Sequence, residues 1–234
     1  MAPYLPFLLE ARKRVLFTSS VFLIASFLGF LYYENVIRLV VGLIHFEGVN
    51  VVFTSPFQFI NLAISSAFLI GIIVSFPMII FQTLFFLKPA LRPKEFKLMV
   101  SLLPLSLVLF AFGFIFGFFI MRYVINLFYA KSLELNIGNF LDISNLLSQI
   151  LVTSSLMGVA FQYPIVMTLL IRFKVIKHKT FEKQRPFAYV IALAFAAILP
   201  PTDLFSLILL TLPLVILFET TLILNRMFLK THLI

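Results

Sequence analysis

The sequence predicts an all-α polytopic membrane protein, and three observations lead to that prediction. The chain is 62% hydrophobic and only 12% charged, whereas a soluble domain carries about 25% charged residues. Its mean hydropathy is +1.13, and 31 of its 234 residues are Phe, which is more apolar surface than a water-facing globule of this size can bury. Finally, long apolar segments alternate with short basic loops, the pattern of helices that cross a bilayer.

Six apolar segments predict six transmembrane helices in one domain that covers residues 1–234. In chain order they are Val15–Tyr33, Phe57–Leu87, Leu98–Met121, Leu146–Ile171, Phe187–Leu199 and Leu204–Phe218. The second, third and fourth contain an internal proline, which predicts kinks.

The last two segments are short for a hydrocarbon core of about 30 Å. The sixth reaches about 21 residues if it continues past Glu219 to Leu224, but the fifth stays near 20 Å at about 1.5 Å per residue. Two crossings are favoured, and a re-entrant hairpin is the alternative.

The basic residues predict the orientation. Fifteen of the 18 Lys and Arg residues fall on one side of the six segments, and the other three are Arg38, Arg122 and Lys131. The positive-inside rule therefore places both termini of this multi-pass membrane protein in the cytoplasm. The net charge of +9 is spread over these short loops, so a nucleic-acid partner is excluded.

The two long outer loops are predicted to contain helices. Residues 35–46, NVIRLVVGLIHF, and the stretch RYVINLFYAKSLEL within 122–145 are apolar with few charges. Each predicts a short separate helix that lies at the outer interface or covers the bundle.

The chain lacks the patterns that enzymes, metal sites and cofactor sites require. It contains no cysteine, its three histidines lie in different loops, and it has no Gly-rich phosphate loop. No catalytic triad or pair of carboxylates is visible, so no enzyme activity, metal or cofactor is expected. Gly113 and Gly117 form a G-x-x-x-G pattern in the third segment, which either allows close helix packing or is incidental.

Polar residues inside the spans are the first set of candidate functional residues, because such groups are costly in a bilayer. They are Asn61, Ser65, Ser66, Gln162 and Glu219. Gln162 is interpreted as an interhelical hydrogen bond or a polar contact for a partner. Glu219 either reaches toward the cytoplasmic interface or serves a partner. A small-solute carrier or channel that uses Gln162, Asn61 and Glu219 is the alternative function.

Two carboxylates on the basic side are the second set. Glu10 lies in FLLEARKRV and Glu95 in FLKPALRPKEF, each among Lys and Arg. They either balance local charge and cap helices or receive guanidinium groups, which bind carboxylates in a planar, bidentate way that lysine cannot copy.

An ordered set of motifs resembles the TatC family, the multi-spanning core of the twin-arginine translocase. The set is FLLEARKRV, TSPFQF, FPMIIFQTLFFLKPALRPKE, GVAFQYPIV, RPFAYVIALAFAAILPPTDLFS and LPLVILFE, and it spans about residues 7 to 226. The resemblance implies six helices in a concave bundle with short fifth and sixth helices. It also implies recognition of twin-arginine signal peptides at the cytoplasmic face, recruitment of the single-span proteins TatA and TatB, and export of folded proteins driven by the proton-motive force. Self-association is left open.

The resemblance also implies roles for particular residues. The signal-peptide site falls on Glu10, Arg12, Phe86 and Glu95. Pro56 matches the proline that opens the second span from the outer side, Asp203 matches an acid in the outer turn, and Glu219 matches an acid near the end of the sixth span.

Two positions depart from the family pattern. Gln162 stands where many relatives have Glu, and Leu207 stands where several have a polar residue. A neutral amide cannot titrate, but it can still hydrogen bond. The hypothesis for the partner site is that Gln162, and with it Glu219, faces inward and offers polar partners to the membrane segments of TatA and TatB.

Overall fold

The computed structural model describes residues 5–44, 50–52, 55, 57–134, 140–173, 178–201 and 203–231. The helices in these ranges are α1 Leu5–Leu31, α2 Tyr33–Ile44, α3 Gln58–Leu87, α4 Pro93–Ser101, α5 Leu103–Glu134, α6 Ile143–Ala160, α7 Tyr163–Arg172, α8 His178–Lys183, α9 Arg185–Ile198 and α10 Leu204–Thr231, and a 3-10 turn covers Lys88–Ala90. Two three-residue strands, β1 Asn50–Val52 and β2 Phe140–Asp142, pair in parallel.

Within the described ranges, five helical segments are long and apolar enough to cross a membrane. They are Phe7–Leu31, Gln58–Leu87, Pro93–Lys131, Ser144–Arg172 and Leu204–Arg226. The all-α, multi-pass prediction is confirmed. The remaining predicted span, the fifth, corresponds to α9. Its 14 residues reach only about 21 Å, so a membrane crossing by α9 stays a prediction.

The expectation of a short sixth helix is wrong. Helix α10 runs for 28 residues and passes through both Pro213 and Glu219 without a break. The carboxylate does not end the helix, because Glu is among the better helix formers. Of the last two predicted spans, α9 is short, with 14 residues, and α10 is not.

Two of the predicted proline kinks are breaks between helices. The third segment divides between α4 and α5 at Leu102, and the fourth divides between α6 and α7 at Gln162. Pro104 and Pro164 are each the second residue of the helix that follows, where the missing N–H costs least. Helix α3, in contrast, continues through Pro77.

One of the two outer-loop predictions is confirmed and the other is wrong. Residues 35–44 lie in α2, a separate helix. The stretch that begins at Arg122 forms no separate helix, because α5 continues to Glu134. The sequence has no glycine or proline between Gly117 and Gly138, so nothing ends the helix where the apolar segment ends.

Close packing between α5 and α6 confirms the packing interpretation of the G-x-x-x-G pattern. A Cβ atom on Gly113 would lie 2.6 Å from Cγ of Phe161 and 2.7 Å from the carbonyl oxygen of Met157. A Cβ atom on Gly117 would lie 2.9 Å from Cα of Ser154. The two helices can approach this closely only because these positions carry no side chain.

Three apolar clusters hold α2, α3 and α5 to α10 together. The first joins α2, α3, α5 and α6 around Leu62, Met121 and Leu147. The second joins α5, α6, α9 and α10 around Phe161 and Leu210. The third joins α7 to α10 and includes Phe218.

Asp142 connects the starts of α3 and α6. Its Oδ1 accepts the backbone N–H groups of Ser144 at 2.9 Å and Asn145 at 3.2 Å, and its Oδ2 accepts from Nε2 of Gln58 at 2.8 Å. The Ser144 hydroxyl in turn donates to the Gln58 carbonyl at 3.0 Å. The carboxylate therefore caps α6 and holds α3 against it.

We expect Asp142→Ala to lower the free energy of unfolding by about 1 kcal/mol, because an N-cap acceptor is lost. Thermal unfolding in detergent measures the change. Asp142→Asn keeps a side-chain oxygen for the cap and should retain most of the stability. Equal loss in the two variants would contradict the capping role.

Candidate functional site

A guanidinium network joins α1 to α3. Arg14 donates from Nη2 and Nε to Oε1 of Glu10 at 2.6 and 3.1 Å. Its Nη1 donates to Oε1 of Gln82 at 2.8 Å and to the Gln82 carbonyl oxygen at 3.4 Å. The side chains of Arg14 and Glu10 are 25% and 40% exposed, so the network lies at the surface of the chain.

Facing stripes on these two helices place the network beside a cavity of about 320 Å³. The α1 stripe contributes Ala11, Arg14, Val15 and Thr18, and the α3 stripe contributes Ile79, Gln82, Thr83 and Phe86. Both follow the i, i+3, i+4, i+7 spacing that places residues on one helix face. A second cavity of about 460 Å³ shares Arg14 and Gln82 and adds Glu10, Lys13 and Phe17.

Two predicted site residues, Glu10 and Phe86, thus lie around the same two central side chains. Arg12 lies on the same helix and is exposed. The sequence-based interpretation did not identify Gln82, and it counted Arg14 only as an orientation charge. Gln82 could have been found from one feature of the sequence: it is an amide on the α3 stripe that faces α1.

Glu95 lies apart from this network. It is the third residue of α4, it is half-buried, and its Oε2 accepts the backbone N–H of Arg92 at 2.8 Å. Among the described residues no basic side chain pairs with Glu95, and it does not line either cavity. Its capping role is confirmed, and its joining with Glu10 into one guanidinium site stays a prediction.

Gln162 connects the α6–α7 break to α5. Its Oε1 accepts from Oγ of Ser106 at 2.6 Å, and its Nε2 donates to the Ser106 carbonyl oxygen at 3.1 Å. Gln162 also lines a mostly apolar cavity of about 180 Å³, which α3, α4, α5 and α7 surround. The interhelical hydrogen bond predicted for this residue is confirmed.

Glu219 is held by two side chains of α9. Tyr189 donates its Oη hydrogen to Oε1 at 2.6 Å, and Nη2 of Arg185 lies 3.2 Å from Oε2. Glu219 thus reaches the first turn of α9. The sequence-based interpretation assigned Arg185 to a loop, although its i, i+4 spacing from Tyr189 predicts that both face the same way.

We expect Glu219→Gln and Arg185→Gln each to cost about 0.2–1 kcal/mol, because the Arg185 side chain is 46% exposed and exposed ion pairs contribute little. Thermal unfolding of the two variants and their combination measures the coupling. The double variant should cost less than the sum of the single ones. Strict additivity would mean that the pair contributes nothing to stability.

Asp203, one of the two outer-face candidates, lies at the start of α10. Asp203 accepts from the backbone N–H of Ser206 at 2.8 Å and from its hydroxyl at 2.5 Å, so it caps the start of α10. Near this turn, the hydroxyl of Thr153 in α6 donates to the Pro200 carbonyl. Pro56 lies outside the described residues.

The described residues contain no group of three or more His, Cys, Asp or Glu side chains that could hold a metal ion.

The other polar residues of the second segment divide between two environments. Asn61 is exposed, whereas Ser65 and Ser66 are buried. Gln162 and Glu219 bond to different helices, α5 and α9.

The family follows from a match that covers most of the chain. The model of the family described as "Sec-independent protein translocase protein (TatC)" matches residues 6–213. The chain belongs to the TatC family. This is a family of protein translocase components, so the chain is a transport protein and not an enzyme, and the family supports translocation over the small-solute alternative.

Curated TatC proteins resemble the chain over nearly its full length. The Escherichia coli K12 TatC is 30% identical over 230 residues, which cover 97% of this chain and 89% of that protein. The Bacillus subtilis protein TatCy is 28% identical, with 93% and 86% covered. The Aquifex aeolicus TatC is 27% identical, with 96% and 95% covered.

Solved TatC structures have the same fold. A crystal structure described as the twin arginine translocase receptor TatC in DDM superposes with a TM-score of 0.83 at 27% identity, covering 94% of this chain and 99% of that one. A second TatC receptor structure gives a TM-score of 0.79 at the same identity. The helix order described above is therefore that of TatC.

Proposed function

We propose that this chain is the receptor subunit of a twin-arginine translocase and binds the paired arginines of signal peptides through Glu10 and Glu95. One observation carries the proposal beyond family membership. The Glu10 carboxylate already binds a guanidinium, that of Arg14, at 2.6 Å beside a cavity. The site thus has the chemistry that an arginine-specific receptor needs.

The remaining site residues suit an arginine pair. Glu95 has one oxygen on a backbone N–H and lacks a basic side-chain partner among the described residues, so it can accept a guanidinium. Phe86 lines the cavity beside Arg14, and an aromatic face attracts a guanidinium placed over it. Arg12, which is exposed on the same helix as Glu10, is assigned to this site by the family resemblance.

In this proposal the chain is a single domain in the cytoplasmic membrane with both termini in the cytoplasm. The 15 basic residues on the proposed inner side support that orientation. TatA- and TatB-type single-span partners and the proton-motive force then complete export of the folded cargo.

The proposed partner contacts at Gln162 and Glu219 must coexist with the hydrogen bonds and the ion pair that these residues already make. Gln162 is paired with Ser106, and Glu219 is paired with Tyr189 and Arg185. Each still has hydrogen-bonding capacity left, because an amide NH2 carries two donors and a carboxylate oxygen accepts more than one bond. A partner helix would use that capacity and leave the internal bonds in place.

Binding of a twin-arginine signal peptide to the chain in nanodiscs tests the proposal. The same peptide with two lysines has equal charge but lacks the planar guanidinium fork. We expect the arginine peptide to bind at least tenfold more tightly, which is about 1.4 kcal/mol. Equal, weak and salt-sensitive binding of both peptides would contradict the proposal.

A flux measurement separates the carrier alternative. Proteoliposomes that contain this chain alone should show no passage of small solutes. Solute flux that Glu219→Gln abolishes would instead support a carrier.

A further inference from the structure

Arg14 occupies the acceptors that an incoming arginine would need. Its guanidinium contacts three oxygens from two helices: Oε1 of Glu10, and both the side-chain and main-chain oxygens of Gln82. The two partners are 4 and 68 residues away in sequence. The contact with α3 makes this more than an ion pair along one helix.

The geometry leaves too few free acceptor oxygens for an incoming guanidinium. A bidentate pair uses both oxygens of a carboxylate, and Arg14 already places two N–H groups on Oε1 of Glu10. Oε1 of Gln82 is also taken, at 2.8 Å. An external arginine can form a full fork on Glu10 only if Arg14 moves away.

We propose that Arg14 is an internal ligand of the signal-peptide site and that a signal-peptide arginine binds Glu10 and Gln82 by displacing it. The inference rests on the proposed function. The exchange replaces one guanidinium by another, so Glu10 has a guanidinium partner both before and after the peptide binds. Arg14 is 25% exposed and lines both cavities, so its side chain has room to move when it is displaced.

Displacement has a measurable consequence for affinity. A site whose competent form is only partly populated binds with an apparent Kd raised by the inverse of that fraction. Arg14 thus weakens the binding of every peptide and favours those whose guanidinium can replace its own. A lysine ammonium cannot reproduce the forked contacts.

A simpler interpretation is that Glu10 and Arg14 only stabilise α1. Pairs of this kind at i, i+4 contribute a few tenths of a kcal/mol to a helix. Under that interpretation, replacing Arg14 changes peptide affinity only through net charge.

The test compares the affinity of the twin-arginine peptide for four proteins in nanodiscs: wild type, Arg14→Lys, Arg14→Gln and Lys97→Gln. Arg14→Lys keeps the charge but cannot form the fork, so we expect roughly threefold to tenfold tighter binding. Arg14→Gln should gain at least as much. Lys97 is exposed on α4, and Lys97→Gln controls for the loss of one positive charge.

Each outcome decides the proposal. Unchanged or weaker peptide binding by Arg14→Lys would overturn the proposal. An equal gain in affinity for Arg14→Gln and Lys97→Gln, with no gain for Arg14→Lys, would also overturn it. Both outcomes would leave the proposed function intact. If wild type does not prefer arginine over lysine peptides, the proposed function fails first and this inference falls with it.

A second measurement on the wild-type chain needs no variant to fold. An arginine-specific dicarbonyl reagent modifies accessible guanidinium groups, and mass spectrometry follows the modification of Arg14. The rate reports whether the Arg14 guanidinium is bound to Glu10 and Gln82 or released. The arginine peptide should speed modification of Arg14 and the lysine peptide should not. Protection of Arg14 by the bound arginine peptide would contradict displacement.

Discussion

Gly113→Ala is expected to lower the stability of the helix bundle by about 2–3 kcal/mol, toward the upper end of the range for an overpacked core. The added Cβ would lie 2.7 Å from the carbonyl oxygen of Met157 and 2.6 and 2.7 Å from Cγ and Cβ of Phe161. None of these atoms is the far end of a flexible side chain, so α5 and α6 must move apart. Alanine otherwise favours a helix by about 1 kcal/mol over glycine, which makes the sign of the effect informative.

Gly42→Ala is the matched control. Gly42 lies in α2, where an added Cβ meets nothing within 4 Å, so only the gain in helix propensity remains. Thermal unfolding in detergent should show Gly113→Ala several degrees below wild type, at about 2–4 °C per kcal/mol for a chain of this size, and Gly42→Ala at or above it. Equal midpoints for the two variants would show that α5 and α6 can separate at little cost.

Gln162→Leu is the second large expected effect, at about 2–3 kcal/mol. The substitution removes both bonds to Ser106, whose side chain is buried with 5% of the residue exposed. A buried polar group that loses its partner costs about 1–3 kcal/mol, and the upper part of that range applies where water is excluded.

The double variant Gln162→Leu with Ser106→Ala tests whether the lost hydrogen-bond partner causes the destabilisation. Replacing both partners by apolar groups can be nearly neutral, so the double variant should be more stable than the sum of the single losses predicts. Thermal unfolding of the four proteins measures the coupling, expected at about 0.5–3 kcal/mol for residues in contact. Additive losses would mean that the hydrogen bond between the Ser106 hydroxyl and Gln162 contributes nothing as a pair.

The features that could be predicted from sequence are those that local composition determines. Five spans follow from apolar length, and internal prolines indicated a disturbed helix at Pro104 and Pro164. Proline alone did not predict that these two sites would be breaks, because α3 continues through Pro77 and α10 through Pro213. The length of α5 could not be predicted from hydropathy, because a helix ends where its backbone bonds end and not where apolar residues stop. The β1–β2 pair joins segments about 90 residues apart, so no local pattern indicates it.

The candidate site divides in the same way. Glu10, Glu95 and Gln162 could be singled out because a carboxylate among basic residues and an amide in a span are unusual. Their actual partners could be identified only in part. Gln82 meets Arg14 because two helix stripes face each other, and Arg185 meets Glu219 across an α9–α10 hairpin, and neither contact is encoded in the spacing along one helix.

The central claim is that Glu10 and Glu95 recognise guanidinium geometry and not charge alone. A double-mutant cycle tests it most directly: the affinities of arginine and lysine peptides are measured for wild type, Glu10→Gln and Glu95→Gln in nanodiscs. We predict that each variant weakens the arginine peptide at least tenfold more than the lysine peptide, a coupling of about 1.4 kcal/mol or more. If one variant weakens the binding of the two peptides equally, its carboxylate contributes only to the local electrostatic field. If this is true of both variants, the account is contradicted.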